Sequence, residues 1–433
     1  MKQHSLFLRD VRSNIFALLI LICAWCTMPS CTGTKDLSVV NLSNLYNAGD
    51  RIYNPEYMVH HLSDTTSKLS ILINNKSFLF SRQNDDRFSA SFSIHYKLAE
   101  SYESINMILD SGSISFQVNE EDKNLRKIYD VTFRLKKKSE MLLIATISDN
   151  QKHFEETYYV PVDNSSPDSR QSFSLSIKGE TNSSFKNYIN EDDSIKIVFR
   201  DPTVKKLCVR AYNRNFPLAP PPFSYDTRDE FNYLPDHTFT YEVNDTNFIS
   251  LKQFGFYHFQ SDTTGKNGIT VFFYPRSFPA VTSPDQMMEC VRYLTTRREF
   301  EEMKSGQNKK EAMDKFWLNL GGNAERTKQL IKKYYTRVRE ANQYFSSYTE
   351  GWRTDRGMVY TIFGKPNSVY KSSNAESWIY GTPNNALSLN FFFTKVINPF
   401  TDNDYQLTRE PLFEGSWMRA VDVWRQGRVY NDN

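Results

Sequence analysis

The stretch GWRTDRGMVYTIFGKPNSVY, residues 351–370, decides how the last third of this chain folds. Its Gly351 permits a chain reversal, and Trp352 is large enough to anchor a seam between elements. Thr354 or Asp355 can cap the orphan amides of a helix whose apolar residues are Met358, Val359, Ile362 and Phe363. Gly364 suits a left-handed C-cap, with Pro366 just beyond it. Val359, Thr361 and Phe363 also alternate, which is the signature of a strand. Caps at both ends favour the helix.

Upstream of this stretch the pattern is helical. Ser283 is an N-cap with Pro284 at the first helical position and Asp285 in the first turn. A second helix runs through KKEAMDKFWLNL and stops at Gly321-Gly322. A third, over 324–347, places Ile331, Tyr334, Tyr335, Val338, Ala341 and Phe345 at helical spacing, with a basic opposite face. Downstream, ESWIYG (376–381) and SLNFFFT (388–394) read as paired strands.

The first half reads differently. KLSILINN, FSASFSIHYKL, SISFQV, YDVTFRL and EMLLIATISD alternate large apolar with small or polar residues, with turns about every ten residues. After a polar break at 163–172 come FSLSIKG, SIKIVFR, KLCVRAYNR, HTFTYEV and GITVFFYP. Such alternation records sheets with one buried and one wet face. The expected architecture is two antiparallel β-sandwich modules of Ig-like kind, 51–163 and 164–282, followed by an α+β module over 283–433. Consecutive prolines at 219–223 (APPPF) make 215–229 an extended connector rather than a strand.

Composition narrows the function. The net charge is +3, and removing the first thirty residues (Lys2, Arg9 and Arg12 against Asp10) leaves about +1. No nucleic-acid-binding face is expected from that balance. Aromatics form 15% of the chain, so disorder is not expected over most of it. No histidine lies beyond His258, which excludes a Ser-His or His-metal site within 283–433. No phosphate-binding loop, nucleophile elbow or zinc helix is present. No catalytic residue, metal site or cofactor is assigned. Of the five cysteines, Cys208 and Cys290 lie in the body, where they either pair or stay free.

Several segments resemble known families. The basic start, the apolar run IFALLILICAWC (15–26) and MPSC ending at Cys31 resemble a bacterial lipoprotein signal in the loose form common in Bacteroidetes. The run is short for a membrane span. The resemblance implies a signal over 1–30, lipidation of Cys31, a tether over 31–50 and anchorage to the outer membrane, with the face undecided. EGWRTD resembles the GWxTD signature that names a family of Bacteroidetes proteins, through Gly351, Trp352, Thr354 and Asp355. The likeness extends through Arg356, FGKP and ESWIYG, and back to KFW (315–317). Gly364, Pro366, Trp378 and Tyr380 are also laid out as in the BamE/SmpA group of outer-membrane assembly lipoproteins. Asp64-Thr65-Thr66, Asp193-Ser194-Ile195 and Asp262-Thr263-Thr264 resemble sites that Bacteroidetes O-glycosylate, with Thr65, Ser194 and Thr263 as acceptors.

The expected function is a lipid-anchored, non-enzymatic scaffold or adaptor that docks a protein partner of an envelope-assembly or secretion machine. Two alternatives stand beside it. One is a glycan-binding surface lipoprotein that uses exposed aromatics. The other is a hydrolase working with carboxylates alone, for which Glu350, Asp355 and Glu376 are the available groups.

Overall fold

The computed structural model describes residues 38, 40–47, 49, 51–82, 87–226, 230–244 and 246–431. The expected signal and Cys31 lie outside these residues. No described helix is long and apolar enough to cross a membrane.

The first part of the chain is built from antiparallel strands. β1 (Glu56–His61), β2 (Thr66–Asn74) and β6 (Arg126–Arg134) form one sheet. β3 (Ser81–Arg82), β4 (Phe88–Ala99), β5 (Ile108–Asn119), β7 (Glu140–Asp149) and β8 (Phe154–Asp163) form the other, with β5 and β7 on either side of β4. The alternation seen in the sequence becomes one shared core. Leu69, Ile71, Val131 and Phe133 from the first sheet pack with Phe92, Ile94, Leu143 and Ile147 from the second.

The next strands make a pair and a five-stranded sheet. β9 (Phe173–Ile177) pairs with β11 (Ile195–Phe199). The larger sheet runs β10 (Tyr188–Ile189), β15 (Ile269–Phe273), β14 (Gly255–Gln260), β12 (Lys206–Tyr212), β13 (His237–Glu242). It departs from the expected antiparallel pattern at one edge, where β10 pairs with β15 in parallel. β14 has no counterpart in the sequence reading. Its GFYHFQ is buried at five of six positions, because both faces of this sheet are covered, so alternation is lost. One face joins the core of Leu207, Val209, Tyr257 and Val271. The other carries Tyr212, Phe256, Phe272 and Tyr274 against Phe400 of the helical region.

The last part combines six helices with a four-stranded sheet. α1 (Pro284–Cys290) opens at the Ser283 cap, and a capping box between Thr296 and Glu299 starts α2 (Arg297–Ser305). α3 (Lys309–Gly321) ends at Gly322 in the left-handed conformation, as Gly-Gly predicts. α4 (Ala324–Phe345) buries Leu330, Tyr334, Val338, Ala341 and Phe345 on one face. α5 (Asp355–Phe363) is the helix favoured over the strand, and α6 (Glu414–Arg425) closes the chain. The antiparallel sheet runs β16 (Ser368–Lys371), β17 (Ala375–Tyr380), β18 (Leu389–Lys395), β19 (Tyr405–Leu407), with Trp378 opposite Phe391. Cys208 and Cys290 are both free.

The described part of the tether lies along β16. The Ser38 amide donates to the Lys371 carbonyl at 2.6 Å and the Leu42 amide to that of Val369 at 2.7 Å. Leu42 and Tyr46 are buried there.

Candidate functional site

The GWxTD stretch is an internal joint. Gly351 begins a single 3-10 turn, Gly351–Arg353, pressed onto α4. A Cβ at Gly351 would lie 1.9 Å from the Ala341 carbonyl oxygen, so close approach of two backbones, more than chain reversal, demands glycine here. Gly357 is held to the same rule, since its Cβ would meet the Gly351 oxygen at 1.8 Å. Trp352 is buried against Tyr293, and its amide donates to the Asn342 side-chain oxygen at 3.3 Å.

Thr354, rather than Asp355, caps α5. Its Oγ1 accepts from the Gly357 amide at 3.1 Å and donates to the Gly351 carbonyl at 2.7 Å. All nine residues of α5 are buried. Its C-terminal carbonyls are met by two side chains from elsewhere: Arg337 donates to Ile362 at 3.1 Å and Trp424 to the same oxygen at 3.0 Å. Gly364 has φ 83° as expected of a stop, but ψ is −156°. That is the extended glycine-only region and not a left-handed cap, because the chain turns at once into β16. Pro366 is buried, and the Tyr380 hydroxyl donates to the Gly364 carbonyl at 2.8 Å.

The motif's charged residues reach in two directions. Asp355 accepts from the Leu407 amide at 2.8 Å and pairs with Arg409, which ties α5 to β19. Arg409 and Arg353 also hold the proline-rich connector over the motif. Arg409 donates to the Pro220 carbonyl at 3.0 Å and Arg353 to that of Phe216 at 2.7 Å. The connector is therefore a strap fixed by its carbonyls.

Arg356 points the other way, into a charge cluster centred on Glu376. Glu376 is 0% exposed and meets Lys371 at 2.6 Å and Arg356 at 2.9 Å. It also accepts from the Tyr46 hydroxyl at 2.8 Å and the Trp378 indole at 3.0 Å. Burial alone would raise its carboxyl. The Lys371 ammonium and Arg356 guanidinium overcome that and hold it down at about 2. Burial and Glu376 together push the Tyr46 hydroxyl up. The Arg356 guanidinium stacks 3.9 Å from the centre of the Tyr405 ring and donates to the Asn403 carbonyl at 2.9 Å.

The structure thus joins Gly351, Trp352, Thr354, Asp355, Arg356, Gly364, Pro366, Trp378 and Tyr380 in one buried region. Glu350 stands apart at the surface side with Arg353, 3.6 Å away. Sequence reasoning misses Tyr46, Lys371, Arg337, Asn403 and Arg409. A buried glutamate in an apolar strand announces that cations must exist, but not which ones. His258 is enclosed by Phe400, Thr270 and the Lys266 carbonyl, and burial lowers it to about 4, so it stays neutral. Among the described residues no group of His, Cys, Asp and Glu is arranged to hold a metal ion. Thr65 and Thr263 are exposed, whereas Ser194 is half-buried with its hydroxyl 2.8 Å from that of Ser250.

No curated protein matches this chain. Among solved structures it is similar to a red sea bream transglutaminase at 13% identity, covering 53% of this chain and 32% of that one, with a TM-score of 0.18. The chain spans about a third of that protein's length, and at that score the likeness carries no argument about fold or activity. A family match takes in β14, β15, all six helices and the last sheet: a GWxTD domain is found at residues 255–426 of this chain.

Proposed function

We propose that the chain is a lipid-anchored, non-enzymatic scaffold or adaptor of the outer membrane, docking a protein partner of an envelope-assembly or secretion machine. The lipid on Cys31, the Bacteroidetes origin, the Ig-like form of the β modules and the BamE/SmpA-like layout belong to this reading. One observation carries it. The ionisable side chains of the motif are consumed by internal partners: Asp355 by Arg409 and the Leu407 amide, Arg356 by Glu376 and Asn403. A catalytic carboxylate needs an open coordination to substrate or water, and these two carboxylates are committed to cations.

The same burial weakens the glycan reading. Trp317, Trp352, Trp378, Trp417 and Trp424 are all buried, so among the described residues sugar stacking falls to tyrosines such as Tyr225, 86% exposed. The experiment is in-cell crosslinking followed by purification from detergent-solubilised membranes. The reading expects a reproducible protein partner whose crosslinks fall within 283–433. Recovery of this chain alone, or crosslinks confined to 51–163, would count against it.

A further inference from the structure

The cluster around Glu376 opens on one side. Lys371 ends β16 at the seam with the first β part, and its side chain, 13% exposed, lines a cavity of 170 Å³. Tyr102, Met141, Leu142 and Pro161 form the facing wall. An ammonium has three N–H donors. One meets Glu376 at 2.6 Å, the Tyr102 and Tyr405 rings lie 5.6 and 5.9 Å away, and among the described residues no second acceptor takes the other two.

Charge points the same way. Inside the buried group two cations, Arg356 and Lys371, share one carboxylate. The carboxylates on the cavity rim hold cations of their own: Glu100 with Lys137, Glu140 with Lys395 at 3.8 Å, and Asp402 with Arg170 at 2.7 Å. Glu103, beside the rim, spends both oxygens on the amide and hydroxyl of Ser373, each at 2.8 Å. A buried positive charge without a counter-charge is costly, and an anion in the cavity would supply one.

We propose that this cavity binds a carboxylate group on a short aliphatic stem, with the carboxylate oxygens accepting from Lys371. The surplus is a single positive charge, so a monoanion balances it. A phosphate dianion would set a second negative charge among Glu376, Glu100, Glu140 and Asp402. The space equals roughly five or six waters at about 30 Å³ each, enough for a group the size of propionate. Met141, Leu142 and Pro161 suit the stem. The carboxylate comes either from a free small acid or from an acidic side chain of a protein. This inference stands independently of the scaffold reading.

The test is calorimetric titration of the mature chain with sodium propionate, with acetyl-glutamate amide and with inorganic phosphate, at matched ionic strength. Saturable binding of a carboxylate, weakened about ten-fold or more by Lys371→Met and little changed by Lys371→Arg, is the expected result. Tighter binding of acetyl-glutamate amide assigns the source to a protein side chain, and tighter propionate binding to a free acid; either supports the site. Absence of saturable carboxylate binding, equal binding by Lys371→Met, or phosphate binding as tightly as the carboxylates would overturn it. Should Lys371→Met fail to fold, Leu142→Phe narrows the cavity and leaves the charges in place. Undiminished binding by that variant also overturns the proposal.

Discussion

Replacing Glu376 by glutamine keeps the shape of the side chain and removes its charge. In the native protein this carboxylate is fully buried and receives Lys371, Arg356, Tyr46 and Trp378. Glutamine still accepts one or two of these donors, but Arg356 and Lys371 are left buried with no counter-charge. Breaking a buried pair in this way costs about 3–5 kcal/mol. Tryptophan fluorescence isolates the effect, because in a chain lacking residues 1–30 every tryptophan lies within the helical region. In urea, with a slope of about 1–3 kcal/mol/M, the midpoint of that transition should fall by about 1–5 M. Adding Lys371→Met to Glu376→Gln removes one of the two stranded cations and should recover part of the loss, about 1–2 kcal/mol of coupling. A loss below about 1 kcal/mol for Glu376→Gln, or a double variant worse than the sum of its parts, would refute the cluster as described.

Three further outcomes follow from the same geometry. Gly351→Ala places a methyl group against the Ala341 carbonyl and should lower the tryptophan-detected midpoint by at least as much as an overpacked core, about 1–3 kcal/mol; an unchanged midpoint contradicts the close approach. Glu376 is held near 2 against an ordinary value of 4.5, so its contribution is complete above about pH 4.5 and is lost as pH falls toward 2. Glu299, held near 2 by the Arg425 hydrogen bond, adds in the same window, and Glu376→Gln should flatten the acid titration of the fluorescence there. With Ellman's reagent the native chain should expose Cys208 slowly and Cys290 only on unfolding, since burial raises the Cys290 thiol far above its usual range. Absence of both thiols in unreduced, unfolded protein would contradict the free pair.

Local chemistry made much of the fold legible. Ser283-Pro284, Gly321-Gly322 and Thr354 each announce a helix end by a mechanism that needs no distant partner. Alternation announced the strands that keep one face wet. It failed for β14, where a second layer of aromatic rings covers the other face. The helix-or-strand ambiguity at 355–363 has the same cause: a helix buried all round shows no polar stripe. The site was legible only in its nearby parts. Arg356 and Glu376 stand twenty residues apart, but Tyr46 reaches them from 310 and 330 positions away in sequence and Arg409 reaches Asp355 from 54. Partners so distant leave no periodicity or spacing to read. Its prolines make the connector at 215–229 extended by local chemistry alone, whereas its docking through carbonyls onto Arg353 and Arg409 depends on arginines far along the chain.

The GWxTD motif is an internal joint and not a mobile reactive loop. Hydrogen exchange followed by mass spectrometry, on peptides covering residues 351–363, tests this most directly. The buried α5, with its carbonyl end held by Arg337 and Trp424, should exchange among the slowest segments of the chain, opening only with the whole helical region. Exchange of these amides within seconds, at the rate of the exposed turns, would contradict it.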